Sequence, residues 1–247
     1  MQRFVAIAGC LTAILAGGAA RAESAIVAVA SNFTSVAEEL AAAFKIEAGH
    51  DLVLSFGASG ALYAQITQAA PFDVFLSADA ARPARAVADG FGVEGSSFTY
   101  AIGKLVLLSS GADITDGEAA LKGGDYQKLS IADPVTAPYG AAALQVLDRL
   151  GIAAEVTPKL VTGANIAQAL QFVETGNAEL GFVAASQVGE TPATQVWMVP
   201  AELYLPILQD AVLLKNGADN PAATGFLDYL RSDAGKAIIT AGGYGVE

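Results

Sequence analysis

The sequence predicts an α/β protein of two similar lobes. Each lobe is a mostly parallel sheet with helices on both faces, and two crossover strands join them. Three observations carry this reading. Short, nearly unbroken apolar runs alternate with segments of helical spacing, as strands covered on both faces require. The stretch Phe98-Thr-Tyr-Ala-Ile-Gly-Lys-Leu-Val-Leu-Leu108 is long for one strand and has a glycine near its middle, which suits a passage between lobes. Beyond it the strand–helix rhythm starts again.

Taken in order, Ala25-Ile-Val-Ala-Val-Ala30 is the first strand. Val36, Leu40, Ala43 and Phe44 then recur at helical spacing, and Ser35 with Glu38 reads as a capping box that starts this helix at Ser35 or a few residues earlier. Residues 51–56 form the next strand, and Ser59 is expected at the N-cap of the helix that follows Gly60. Phe72-Asp-Val-Phe-Leu-Ser77 is a third strand, with Asp79 capping a helix to about Ala88. After the long strand come Leu129-Ser-Ile-Ala132, a helix over 141–150, the strand Lys159-Leu-Val161, a helix from about Ile166 to Thr175, and the strand Leu180-Gly-Phe-Val-Ala184. Tyr204 to Leu214 reads as the return crossing, and helices over 220–232 and 233–241 complete the first lobe. The expected division is 1–22 signal peptide, 23–102 plus 208–247 lobe one, and 103–207 lobe two.

The 247 residues are 53% hydrophobic and 15% charged, ample for a large core and unlike a disordered chain. Thirteen basic residues face 25 acidic ones with no basic cluster, which argues against a nucleic-acid partner. Arg3, the apolar run Phe4 to Leu15 and Ala20-Arg-Ala22 form an export signal with cleavage expected after Ala22, so the expected location is periplasmic. Ile7-Ala-Gly-Cys10 is a competing lipid-attachment pattern, but few apolar residues precede it. Cleavage takes Arg3 and Arg21 and leaves a net charge of −14. It also leaves no cysteine, which removes disulfides, thiol catalysis and cysteine-bound metal. The single histidine, His50, is read as structural. No cysteine–histidine or histidine pair is available, and neither HExxH nor GxSxG occurs. No catalytic residue is assigned, and no cofactor or free metal cation is expected.

Ligands of open α/β sheets bind outside the carboxyl ends of the strands. Four such loops stand out: Ser31-Asn32, Ala58-Ser59, Ala137-Pro-Tyr-Gly140 and Ala164-Asn-Ile166. Each immediately precedes a helix and none carries Lys, Arg or His. In Leu54-Ser-Phe-Gly-Ala-Ser-Gly60, strand, small-residue turn and helix start turn backbone N–H groups toward an anion. With two loops from each lobe, neutral donors are expected to converge across a cleft.

Ala30-Ser-Asn-Phe-Thr34, Leu54 to Gly60, Ala70-Pro-Phe-Asp-Val-Phe-Leu-Ser-Ala-Asp79 and Ala137-Pro-Tyr-Gly140 together resemble the periplasmic molybdate-binding proteins of ABC importers, within the type II periplasmic binding proteins. The resemblance spans residues 24–245. It implies that molybdate or tungstate is the ligand, held as an oxyanion by Ser31, Asn32, Ser59, Tyr139 and Ile166, the last through its backbone N–H. Many members carry a ligand-binding tyrosine where this chain has Ala184, so the phenol is assigned to Tyr139. Asp73 and Asp79 are left out, since a carboxylate repels a dianion, and are read as partners of loop N–H groups. The implied partner is an importer permease with its ATPase, the chain acting as a monomer. The alternatives are a binder of another tetrahedral oxyanion such as sulfate, an exported two-lobed enzyme, and a sensor docking on a membrane receptor.

Overall fold

The computed structural model describes residues 22–246, so the expected export segment and Cys10 lie outside the described residues. In chain order, β1 (Ser24–Ala30) passes through a 3-10 turn, Ser31–Phe33, into α1 (Thr34–Ala48). β2 (Asp51–Gly57) leads to α2 (Ser59–Thr67), and β3 (Val74–Leu76) to α3 (Ala81–Ala88). β4 (Phe98–Gly103) and β5 (Leu105–Ser109) are separated by Lys104 alone. α4 (Gly117–Gly123), β6 (Leu129–Ala132), α5 (Pro138–Arg149), α6 (Ala153–Val156), β7 (Leu160–Gly163), α7 (Ile166–Glu174), β8 (Leu180–Ala184) and β9 (Val196–Met198) follow. β10 (Ile207–Leu213), α8 (Pro221–Arg231) and α9 (Asp233–Ala241) close the chain.

Two five-stranded sheets result, ordered β2-β1-β3-β10-β4 and β7-β6-β8-β5-β9. In each, the βα units supply three parallel strands: β1 lies between β2 and β3, and β6 between β7 and β8. Two further strands add antiparallel pairings, β10 and β4 in one sheet, β5 and β9 in the other. The long apolar stretch does cross, with β4 in the first sheet and β5 in the second. Over the expected return, Tyr204 packs in the core of the second lobe and β10 pairs within the first sheet from Ile207 on. Its ladder slips between Gln209 and Asp210, a bulge that re-aims side chains next to the interlobe cleft.

Both faces of each sheet are covered. On the first sheet, one face packs Val27, Val29, Leu40 and Phe226, and the other Ala28, Leu62, Phe75 and Val212. The second lobe is built on Leu105, Leu107, Ile131, Val146 and Phe182, with Val106 and Val183 on its opposite face. Continuous burial of β3, β5, β6 and β8 explains why their sequences lack alternation. Two local expectations fail. The chain turns into helix at Ser31, so Ser35 lies inside α1, whose N-cap is Phe33 with no side-chain bond. Ser59 is the first helical residue of α2, and the N-cap is Ala58.

Candidate functional site

Four strand ends feed four helix starts at the cleft. The five residues singled out in the sequence, Ser31, Asn32, Ser59, Tyr139 and Ile166, all line one cavity there. Each is at most 6% exposed. It is small, far below the several hundred Å³ typical of sites for organic ligands. No charged side chain lines it. A larger cleft of about 390 Å³ adjoins it, bordered by Asp79, Arg82, Gln145 and Leu205 and by the starts of α3 and α5.

Three of these helix starts share one local feature. The first N–H groups of any helix lack intrahelical acceptors, and a Ser, Thr, Asp or Asn at the N-cap ordinarily satisfies one. Here the N-caps before Ser31, Ser59 and Pro138 are Ala30, Ala58 and Ala137, none of which offers a side-chain acceptor. All three alanines line the cavity. At α2 the Gly60 N–H reaches across to the Thr136 carbonyl of the other lobe, 2.8 Å away. At α7 Asn165 does cap, but it accepts from Gln168, the third helical residue, at 3.0 Å, and so leaves the Ile166 N–H to the cavity side.

The side chains are each fixed by a defined partner. The Ser59 hydroxyl accepts from the Ala78 N–H at 2.9 Å, so its own proton is left to give. The amide nitrogen of Asn32 donates to Gln209 at 2.9 Å and to the Tyr244 hydroxyl at 3.0 Å. Asn32 therefore lines the cavity with its amide N–H groups turned into the first lobe. The Tyr139 hydroxyl accepts from Gln209 Nε2 at 3.1 Å. Burial pushes the phenols of Tyr139 and Tyr100 well above their ordinary range, the neighbouring phenol of Tyr244 adding to the effect, and pushes Tyr244 up to about 12. All three stay protonated at neutral pH.

The lobes touch closely. A Cβ on Gly60 would lie 2.9 Å from the backbone of Thr136 and from Arg82, so the approach requires glycine. Arg82, ion-paired to Asp79, donates to the Val135 carbonyl of the second lobe at 2.9 Å. On the other side of the cleft, the Ser186 hydroxyl donates to the Asn32 carbonyl at 3.1 Å. The two acidic residues left out of the site hold structure: Asp73 accepts from the Ile26 N–H and from Asn216, and Asp79 from the Arg82 N–H. His50 lies far from the cleft, accepting from the Glu23 N–H beside Phe44. Among the described residues, no group of three or more His, Cys, Asp or Glu is placed to hold a metal ion. Sequence reading missed Gln209, Tyr244 and Ser186. A polar pair, Gln209-Asp210, inside an otherwise apolar strand was the available signal for the first.

Comparison with known proteins fits this geometry. The family model described as bacterial extracellular solute-binding protein matches residues 25–245. The molybdate-binding protein ModA of Rhodobacter capsulatus is 51% identical over 228 residues, covering 92% of this chain and 90% of the relative. The protein of the same name from Azotobacter vinelandii is 51% identical over 233 residues, 93% of this chain and 92% of the relative. The solved structure of an Azotobacter vinelandii periplasmic molybdate-binding protein superposes with a TM-score of 0.86 at 39% identity, covering 90% of this chain and 99% of that one.

Proposed function

The chain belongs to the bacterial extracellular solute-binding proteins, and from that premise we propose that it captures molybdate, with tungstate as the close analogue, in the cavity between its lobes. It then hands the ion to the permease and ATPase of an ABC importer. What supports the reading is the set of uncapped helix starts: the N-caps Ala30, Ala58 and Ala137 offer no side-chain acceptor, and all three line one small space free of charged side chains.

Each residue has a role in this reading. Ser31 and Asn32 present the first helix start, Ser59 its hydroxyl and N–H, Tyr139 its phenol, and Ile166 its backbone N–H. A dianion that enters loses its hydration and regains it from fixed dipoles. Hydrogen bonds to a charged group contribute about 1.5–3 kcal/mol each. Roughly half a dozen outweigh the association cost and leave about −8 to −12 kcal/mol, sub-micromolar binding or tighter. Residues 23–102 with 208–247 act as one closing body and 103–207 as the other, since each holds part of the cage. The chain works as a monomer in the periplasm, after export and cleavage behind Ala22, and binds its ligand without transforming it.

Calorimetric titration of molybdate, tungstate, sulfate and phosphate into the mature protein tests the proposal. Tight binding of the first two and weak or no binding of the others is expected. Preference for sulfate would assign the protein to a different oxyanion, and no heat with any of the four would remove the reading.

A further inference from the structure

We propose that Gln209 is a positioning residue for the anion: it fixes the polarity of the Tyr139 hydroxyl so that the phenol donates into the cavity. The inference rests on the oxyanion reading above. Gln209 is fully buried at the bulge of β10. Its Oε1 lies 2.9 Å from Asn32 Nδ2 and 3.1 Å from the Tyr100 hydroxyl, and its Nε2 lies 3.1 Å from the Tyr139 hydroxyl. A side-chain amide can be turned end for end, so its direction has to be derived from its neighbours.

The derivation starts at the Asn32 backbone carbonyl, which can only accept. The Tyr244 hydroxyl is 2.6 Å from it, against 2.8 Å to the Ser186 hydroxyl and 3.0 Å to Asn32 Nδ2, and gives its one proton to this shortest contact. That same hydroxyl meets the Asn32 side chain at 3.0 Å and, with its proton spent, accepts. Asn32 therefore presents its amino end, and the group it meets on Gln209 is the oxygen. The other end of Gln209 is the amino group, and it donates to the Tyr139 oxygen. The phenol proton is thereby excluded from the Gln209 side and is left for an anion in the cavity that Tyr139 lines or, when the cavity is empty, for the neighbouring Tyr244 oxygen. Donation thus runs in one sense from the Asn32 side-chain amide through Gln209 to the phenol of the second lobe. Gly103 makes room for the contact, since a Cβ there would overlap the Tyr139 hydroxyl and come within 2.7 Å of Gln209 Nε2.

The test is a double-mutant cycle read by molybdate calorimetry, with Gln209→Met and Tyr139→Phe alone and together. Gln209→Met should weaken binding about tenfold in the parent and less than about twofold once the phenol is gone. Gln209→Glu adds a readout that a packing role would not move. Its protonated carboxyl reproduces the donor–acceptor pattern, whereas its ionised form draws the phenol proton back toward itself. Affinity of that variant should fall as pH rises through the buried carboxyl's titration, while the parent stays flat from about pH 6 to 9. Equal losses with and without the phenol, or a flat profile for Gln209→Glu, would overturn the inference. Should Gln209→Met fail to melt cooperatively, the pH profile decides alone. A parent protein that does not bind molybdate refutes the oxyanion reading itself, and the inference falls with it. A parent that binds normally while the cycle shows no coupling refutes only the role of Gln209.

Discussion

At the end of the chain, α8 begins behind Asn220, whose side chain accepts from the Ala222 N–H at 3.0 Å, and α9 behind Ser232, which accepts from Gly235 at 3.1 Å. α4 begins behind Asp116, which accepts from Ala119 at 2.9 Å. These helices satisfy their own first donors. At the cavity the equivalent positions are Ala30, Ala58 and Ala137, and nothing in their side chains can do so. Each missing cap costs about 1 kcal/mol of stability in the free protein. A missing cap is not confined to the cavity, since α6 begins behind Ile152 without one; what sets the cavity apart is that three such starts line one small space. α7 is intermediate, since its cap is present but reaches past Ile166 to Gln168.

The sharpest way to break the comparison is to give the cavity a cap. Ala58→Asp would satisfy the α2 donors from within and place a carboxylate where the anion belongs. Molybdate affinity is expected to fall by more than about 3 kcal/mol, while the thermal midpoint of the unliganded protein holds or rises; calorimetry and a melt read both. Ser59→Ala and Tyr139→Phe remove one donor each, and each should weaken binding by about 1.5–3 kcal/mol in the same titration. Gly60→Ala forces Thr136 and Arg82 away from α2, which should cost about 1–3 kcal/mol of affinity through incomplete lobe closure. Small-angle scattering of the liganded variant would register the wider cleft.

Changes on the capped side should leave binding alone. Ser232→Ala is expected to lower unfolding stability by about 1 kcal/mol, seen in urea denaturation, with molybdate affinity unchanged. pH provides the last contrast. Binding should be flat from about pH 6 to 9, because no group in the cavity titrates there. Stability behaves otherwise at the alkaline end. The buried phenols of Tyr100, Tyr139 and Tyr244 have folded values raised above about 10, the unfolded one. Their contribution is complete below pH 10 and is lost as pH rises through the folded values, about 12 for Tyr244. Alkaline melts should show this loss.

Much of this was legible in the sequence, for reasons that differ by residue. Unbroken apolar runs such as Ala25–Ala30 announce strands buried on both faces, and Ser59 is conspicuous because a hydroxyl follows a Gly-Ala turn. Tyr139 and Ile166 were reached through the family resemblance, since an aromatic in a loop and an isoleucine at a helix start look like ordinary core. Ser59 was expected to cap its helix and does not, because the preceding strand delivers Ala58 to that position and turns the serine hydroxyl onto Ala78. The capping box at Ser35 failed for a similar reason: the chain turns directly off β1 into a 3-10 turn, which shifts the helix start to the cavity. Long-range partners were beyond sequence reading. Gln209 meets Asn32 across 177 residues, and only the topology of β10 brings them together.

The most direct measurement is a crystal structure of the mature protein with molybdate bound. The ion should sit between the lobes, touched by the helix starts at Ser31, Ser59 and Ile166 and by the hydroxyl of Tyr139, with no cationic side chain in contact. A lysine, arginine or histidine against the ion, or an ion lodged in the larger cleft beside Arg82, would contradict the account.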